Sequence, residues 1–286
     1  MLAKLTSHQQ GTLAVMLAAL LWSTGGLFIK LLPMVPMSIV GYRSLLSALF
    51  FGLLFGRKVF RMNRVTFGVS LIYAGVLITY VVAIKLTTAA NAIFLQYTAP
   101  VYVMLLEPLL FKLKLERINI LTIILSFVGL SLFFVGDMGG GSGSNPGLGN
   151  FLSLLSGFLL ASELLLLRVN DPEYYEASIF WGNIWVALVS IPWMISDPIS
   201  SSSSLWMLLF LGFIQVGLGN AFFTFGLKRV LAVEAALIAM LEPLFNPVWV
   251  FLGYGEAPTF YAVVGGGIIL ASLAFRTYWI SRTKKV

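Results

Sequence analysis

The chain has no cysteine, a single histidine and few charges: 18 basic and 11 acidic side chains among 286 residues, 10% of the total. Without cysteine there is no thiol chemistry and no disulfide framework, and nothing marks a redox compartment. The one histidine, His8, has no metal-ligating neighbour, so no metal site is expected. The aspartates Asp137, Asp171 and Asp197 fall between apolar runs. An intramembrane protease would therefore lack paired aspartates, and it would also lack a nucleophile with a histidine. No Gly-x-Ser-x-Gly, His-Glu-x-x-His or Walker sequence is present. No catalytic residue or cofactor is expected, and ATP-driven pumping within this chain is excluded.

What is present is apolar surface. Apolar types make up 59% of the chain, and mean hydropathy is +0.96. An ordinary soluble domain is roughly half apolar and a quarter charged. This composition cannot cover a water-facing surface with polar groups, so lipid is the expected solvent. The net charge of +7 would suggest nucleic acid only if the basic residues formed one patch. They are instead dispersed between apolar runs, so nucleic acid is not an expected partner.

A membrane span needs about 20 mainly apolar residues at 1.5 Å each. Ten segments qualify, at about 11–31, 36–55, 65–84, 87–111, 118–136, 148–167, 176–196, 205–226, 230–252 and 259–280. The first is read as a span rather than a signal peptide, because no small-x-small cleavage site precedes the second. With both termini in the cytoplasm, fifteen of the eighteen basic residues lie inside. Lys30 and Lys85 lie outside, and Arg43 falls within a span. This split satisfies the positive-inside rule. A miscounted span would scramble it.

The stretch Gly139–Gly149 (GGGSGSNPGLG) lacks the Gly-Lys-Ser/Thr ending of a phosphate loop and reads as a linker. It divides the chain into 1–138, a linker at 139–147, and 148–286, with five spans in each half. A shift of 138 residues places Lys30 on Arg168 and Gly11 on Gly149. A shift of 143 places Lys85, Ala89, Ala92 and Pro100 on Lys228, Ala232, Ala235 and Pro243. Because five is odd, the halves would run through the membrane in opposite senses. Such an inverted repeat puts a site at the midplane between halves.

Leu13–Trp22 followed by Ser-Thr-Gly-Gly resembles the first helix of the EamA family of the drug/metabolite transporter superfamily. Thr87–Pro100 (TTAANAIFLQYTAP) and Ala232–Glu256, with its Glu-Pro and terminal Gly-x-Glu, resemble that family as well. In one departure, Pro100 to Glu116 spans 16 residues where Pro243 to Glu256 spans 13. The resemblance implies an all-α fold of ten helices in two inverted repeats. It also implies a metabolite permease or exporter with a central cavity, partly lined by the first helix.

Charges within hydrocarbon are costly, so each is expected to face a cavity or a partner. Glu242 lies about 18 Å and Arg43 about 20 Å from the inner boundary at 1.5 Å per residue. This equal depth makes an Arg43–Glu242 ion pair the structural expectation. Glu163 has no equally deep basic partner in sequence, which makes it the candidate for carrying protons; its other reading is a side chain reaching toward Arg168. Glu234, beside Lys228 and Arg229, and Glu107, near Lys112 and Lys114, are expected to form interfacial pairs. Trp22, Tyr80, Asn91, Phe94, Gln96, Tyr97, Glu163, Trp181 and Asn220 are the cavity candidates. Tyr42, Tyr73, Asn183 and Gln215 are further polar groups at depth. Pro100 and Pro243, at matched positions, are the candidate hinges.

The expected function is secondary transport, by alternating access, of an amino acid or another small zwitterionic or cationic amphipathic solute. The embedded charges favour it: Arg43 against Glu163, Glu234 and Glu242. The expected partners are that solute, the lipid bilayer and, for coupled flux, protons, with a monomeric chain in a bacterial inner membrane. A phosphorylated-sugar or nucleotide-sugar antiporter would need at least two deep basic residues. A non-transporting scaffold or sensor would need neither a repeat nor deep carboxylates.

Overall fold

The computed structural model describes residues 6–112, 117–137, 143–230, 235 and 238–283, with backbone alone for 133–137 and 280–283. Expectations resting on Lys4, Lys114, Glu116, Ala232, Glu234, Lys284 and Lys285, and on linker residues 139–142, lie outside the described residues. Among the described residues every regular element is helical.

Several spans begin where a polar side chain accepts from a free backbone N–H or where a proline has none to satisfy. Helix α1 (Ser7–Ser23) opens with a capping box between Thr6 and Gln9. After a turn at Thr24, α2 (Gly25–Leu31) completes the first span. Pro36 starts α3 (Pro36–Phe55). Asn63 caps α4 (Arg64–Leu86), and Thr88 caps α5 (Ala89–Gln96). The chain then breaks at Tyr97 and Thr98 before α6 (Ala99–Phe111). Helix α7 covers Arg117–Asp137, and α8 (Pro146–Val169) is capped by Asn145. Helix α9 is Tyr175–Ser196. The next span is composite: α10 (Ser202–Leu209), a π-helical stretch (Phe210–Leu218) and α11 (Gly219–Leu227). Helices α12 (Leu241–Tyr254) and α13 (Phe260–Thr283) close the chain.

Eight segments are long and apolar enough to cross a membrane, and Arg117–Leu132 is a shorter apolar helix. Their boundaries fall within a few residues of the expected spans. Four expected spans are not single straight helices. The first turns at Thr24, the fourth breaks at Tyr97–Thr98, and the eighth changes to π geometry. In the ninth, a turn at Met240 separates the helical residues 238–239 from α12.

Large apolar side chains such as Leu49, Leu53, Leu109, Ile195 and Phe260 point outward. This is tolerable only where lipid is the solvent. The most extensive packing is between α4 and α8, α3 and α9, and α7 and α13. Helix α1 lies along α11, α4 along α9, and α3 along the π stretch. Helices α5 and α6 pack on α8, and α1 and α2 on α12.

Glycine permits the closest approaches. A Cβ on Gly149 would lie 2.7 Å from Thr87 Cβ, and one on Gly11 would lie 2.7 Å from Arg229 Cβ. The first contact joins the start of α8 to the end of α4. The second joins the start of α1 to the end of α11. A Cβ on Gly182 would come within 2.5 Å of Tyr73, so α9 lies directly against that ring.

Candidate functional site

The sequence places Tyr73 and Tyr80 seven residues apart on α4, hence on one face of the helix. Around this face the fold gathers charged and amide side chains from other helices. Arg43 on α3 is 2% exposed and interacts electrostatically with both tyrosines. Glu163 on α8 is 8% exposed and lies within electrostatic reach of Tyr73. Asn220 on α11 donates from its amide to the Tyr73 hydroxyl at 3.1 Å. Asn183 on α9 lies beside the same hydroxyl, and its amide donates to the Ile179 carbonyl at 2.8 Å.

Two charged side chains in this cluster each keep a buried atom without a hydrogen-bond partner. Arg43 Nε and Glu163 Oε2 are buried without a hydrogen bond. A guanidinium carries five donors and cannot shed its charge, so its burial calls for an acceptor. An unpaired carboxylate oxygen calls for a donor in the same way.

The expected Arg43–Glu242 ion pair does not form. Tyr80 lies within electrostatic reach of both groups. Glu242 instead faces Tyr97, whose hydroxyl is 3.0 Å from Glu242 Oε2 and 2.9 Å from the Ala239 carbonyl. Equal depth set the height of the two charges, but helix rotation set their direction. Glu163 does not reach toward Arg168 either. Arg168 pairs with Glu107 and lies over the Phe111 ring at 4.9 Å. Glu107 is therefore in an ion pair as expected, although its partner is on a different helix.

The remaining cavity candidates separate into three sets. Trp22 packs on Phe223 at 4.9 Å, and its carbonyl accepts from Gln215 at 3.3 Å. Glycines 25 and 26, just beyond it, lie against the amides of Gln215 and Asn246. Both amide atoms of Asn246 are buried without a hydrogen bond. This second polar spot therefore sits at the turn in the first span. Asn91, Phe94 and Gln96 instead hold helices together. The Asn91 amide is 3.4 Å from Asn150 Oδ1, and that of Gln96 donates to Ser156 at 2.8 Å. Phe94 fills the space above Gly266, whereas Trp181 stacks on Trp185 of its own helix at 5.7 Å and keeps its indole N–H buried without a hydrogen bond.

Pro100 is in the first turn of α6, and Pro243 is in the first turn of α12. Each follows a break, at Tyr97–Thr98 and at Met240. A proline in a first helical turn gives up no hydrogen bond, because that N–H has no partner there. These are interrupted spans rather than kinked ones.

Sequence reasoning ranked Tyr73 and Asn183 low because tyrosine and asparagine at depth usually only bridge helices. The usable signal was the seven-residue spacing of Tyr73 and Tyr80. A second cluster was missed altogether. Lys30 meets Glu256 at 2.7 Å at one end of the bundle.

A helical bundle that faces lipid and buries charges mid-helix is a polytopic membrane protein of the transport class. The chain belongs to the EamA-like transporter family, whose model matches residues 9–135 and again 147–278. It is similar to an uncharacterized transporter of Archaeoglobus fulgidus, 26% identical over 92% of this chain and 94% of that protein. It is also similar to the pseudopaline exporter CntI of Pseudomonas aeruginosa, 26% identical over 73% of this chain and 72% of that protein. A crystal structure of a protein covering 96% of this chain and 99% of its own shares the fold, with a TM-score of 0.64 at 19% identity.

Proposed function

We propose that this membrane transporter carries a small zwitterionic or cationic amphipathic solute, such as an amino acid, outward by alternating access. One observation carries the reading: buried Arg43 and buried Glu163 each keep an atom without a protein partner on the face marked by Tyr73 and Tyr80. A carboxylate would answer Arg43, and an ammonium would answer Glu163. The amide of Asn220 and the tyrosine hydroxyls supply neutral donors and acceptors between them. The exporter named among the relatives agrees with an outward direction.

In this reading ten spans form two inverted halves of five, in an inner membrane, with both termini cytoplasmic. The two family matches support the division. The packing supports it too, because α8 on α4 is answered by α1 on α11, and Gly149 on Thr87 by Gly11 on Val230. The breaks at Tyr97 and Met240 are 143 residues apart, the same shift that relates Pro100 to Pro243. A sugar-phosphate substrate is disfavoured because the Lys30 ammonium is already engaged by Glu256 and by the Thr87 carbonyl.

The test is uptake of labelled amino acids, the matching amines and a sugar phosphate into proteoliposomes. Amino acid flux should be weakened about thirtyfold or more in Arg43→Gln, while flux of the amine without a carboxylate changes little. Transport of the sugar phosphate alone would overturn the reading.

A further inference from the structure

The end of the bundle carrying Lys30 holds a closed set of contacts between helix ends. Lys30 Nζ lies 2.7 Å from Glu256 Oε2 and donates to the Thr87 carbonyl at 2.7 Å. Glu256 Oε1 accepts from the Ala89 N–H at 2.7 Å, at the start of α5. Lys85 Nζ donates to the Leu32 carbonyl at 2.5 Å, just beyond α2. Thr87 in turn donates to Asn150 on α8 at 2.9 Å. The ends of α2, α4 and α12 and the starts of α5 and α8 are thus tied at one place.

The opposite end has a related pair with a different burial. Arg168 aligns with Lys30 under the 138-residue shift, and it pairs with Glu107. Each of the two pairs joins the first span of one half to the fourth span of the other. The Lys30 and Glu256 side chains are 8% and 14% exposed, whereas those of Arg168 and Glu107 are 50% and 28% exposed. A half-exposed pair is screened by water and holds weakly. A buried, hydrogen-bonded pair leaves a charge uncompensated when either partner is removed. Both fourth spans are interrupted, so the segments bearing Glu107 and Glu256 can tilt at Tyr97–Thr98 and Met240 without breaking a continuous helix.

We propose that Lys30 and Glu256 form a latch that seals this end of the bundle, and that the pair must part before the cavity opens there. Arg168–Glu107 is its weaker counterpart at the other end. The latch rests on the alternating-access reading above, and it goes beyond that reading by assigning the closed state to one pair of residues.

The test measures accessibility and needs no substrate, so it fails separately from the assignment of the solute. A single cysteine is placed at Tyr80 in the otherwise cysteine-free chain. An impermeant thiol reagent is applied from the Lys30 side. Lys30→Gln combined with Glu256→Gln keeps side-chain size and removes both charges together. It should raise the labelling rate about tenfold or more by shifting the population toward the open state. An unchanged rate in the folded variant would overturn the proposal. A second arm replaces Lys30 and Glu256 by cysteines, joins them with a short cleavable cross-linker, and reads the access of an impermeant hydroxylamine reagent to a ketone-bearing p-acetylphenylalanine at position 80, which does not react with thiol reagents. Labelling should fall to background and recover on cleavage. Labelling of the cross-linked protein at the uncross-linked rate would overturn the latch even if the glutamine variant fails to fold.

Discussion

Tyr97 and Glu242 face each other across two interrupted spans, with the Tyr97 hydroxyl 3.0 Å from Glu242 Oε2. Tyr97 ends α5, and Glu242 lies in the first turn of α12. The contact therefore fastens one helix break to another. A hydrogen bond to a charged acceptor contributes about 1.5–3 kcal/mol. Tyr97→Phe should lower the melting temperature in detergent measurably. Glu242→Gln keeps an acceptor and should cost less. Glu242→Leu removes the acceptor and should cost at least as much as Tyr97→Phe. If Glu242→Gln proves the most damaging of the three, its charge matters more than the Tyr97 contact.

We propose that Glu163 is the group that couples transport to protons. It is buried, one oxygen has no partner, and among the described residues no ion pair engages it. Glu163→Gln has nearly the same size and should leave the protein folded. It should abolish flux driven by a pH gradient while sparing exchange of labelled for unlabelled solute. Wild-type flux that ignores an imposed gradient would remove the proton role from Glu163.

Helix approach at Gly149 leaves no room for a methyl group. A Cβ there would lie 2.7 Å from Thr87 Cβ and 2.8 Å from Thr87 N. Gly149→Ala should destabilise the protein by about 1–3 kcal/mol, the usual cost of overpacking. Gly68→Ala is the control, since nothing lies within 4 Å of a Cβ at that helical position. It should be neutral or slightly stabilising. Equal melting temperatures for the two variants would contradict the close α4–α8 contact.

Orientation is testable because the chain has no native thiol. Ser144 and Ser202 are exposed at one side of the proposed topology, and Met62 at the other. Single cysteines at the two serines should react with an impermeant reagent added to intact cells. A cysteine at Met62 should react only after the membrane is opened. Labelling of Met62→Cys in intact cells would invert the assignment.

The spans were legible in the sequence because an apolar run of about 20 residues has few other uses. Their ends were legible too, since Thr6, Pro36, Asn63, Thr88 and Asn145 are residues that start helices. The interruptions were only half legible. Pro100 and Pro243 marked the neighbourhood, but proline cannot say whether a helix bends or stops. Nothing in the residues announced the π stretch at Phe210–Leu218.

Depth along a helix follows from counting residues, so the sequence by itself determined that Arg43 and Glu242 lie near the middle of their spans. It also determined the class of solvent, the transporter family resemblance and the matched prolines. Which way each buried side chain points depends on the rotation and tilt of its helix. These are settled by close packing, as where Gly182 admits Tyr73 and Gly149 admits Thr87. Only the tertiary structure therefore turned Glu242 toward Tyr97, set Arg43 and Glu163 around Tyr73, and brought Lys30 to Glu256 across 226 residues of chain. Contacts of that range arise from helices meeting in three dimensions, and a linear pattern of apolar and polar residues does not encode them one by one.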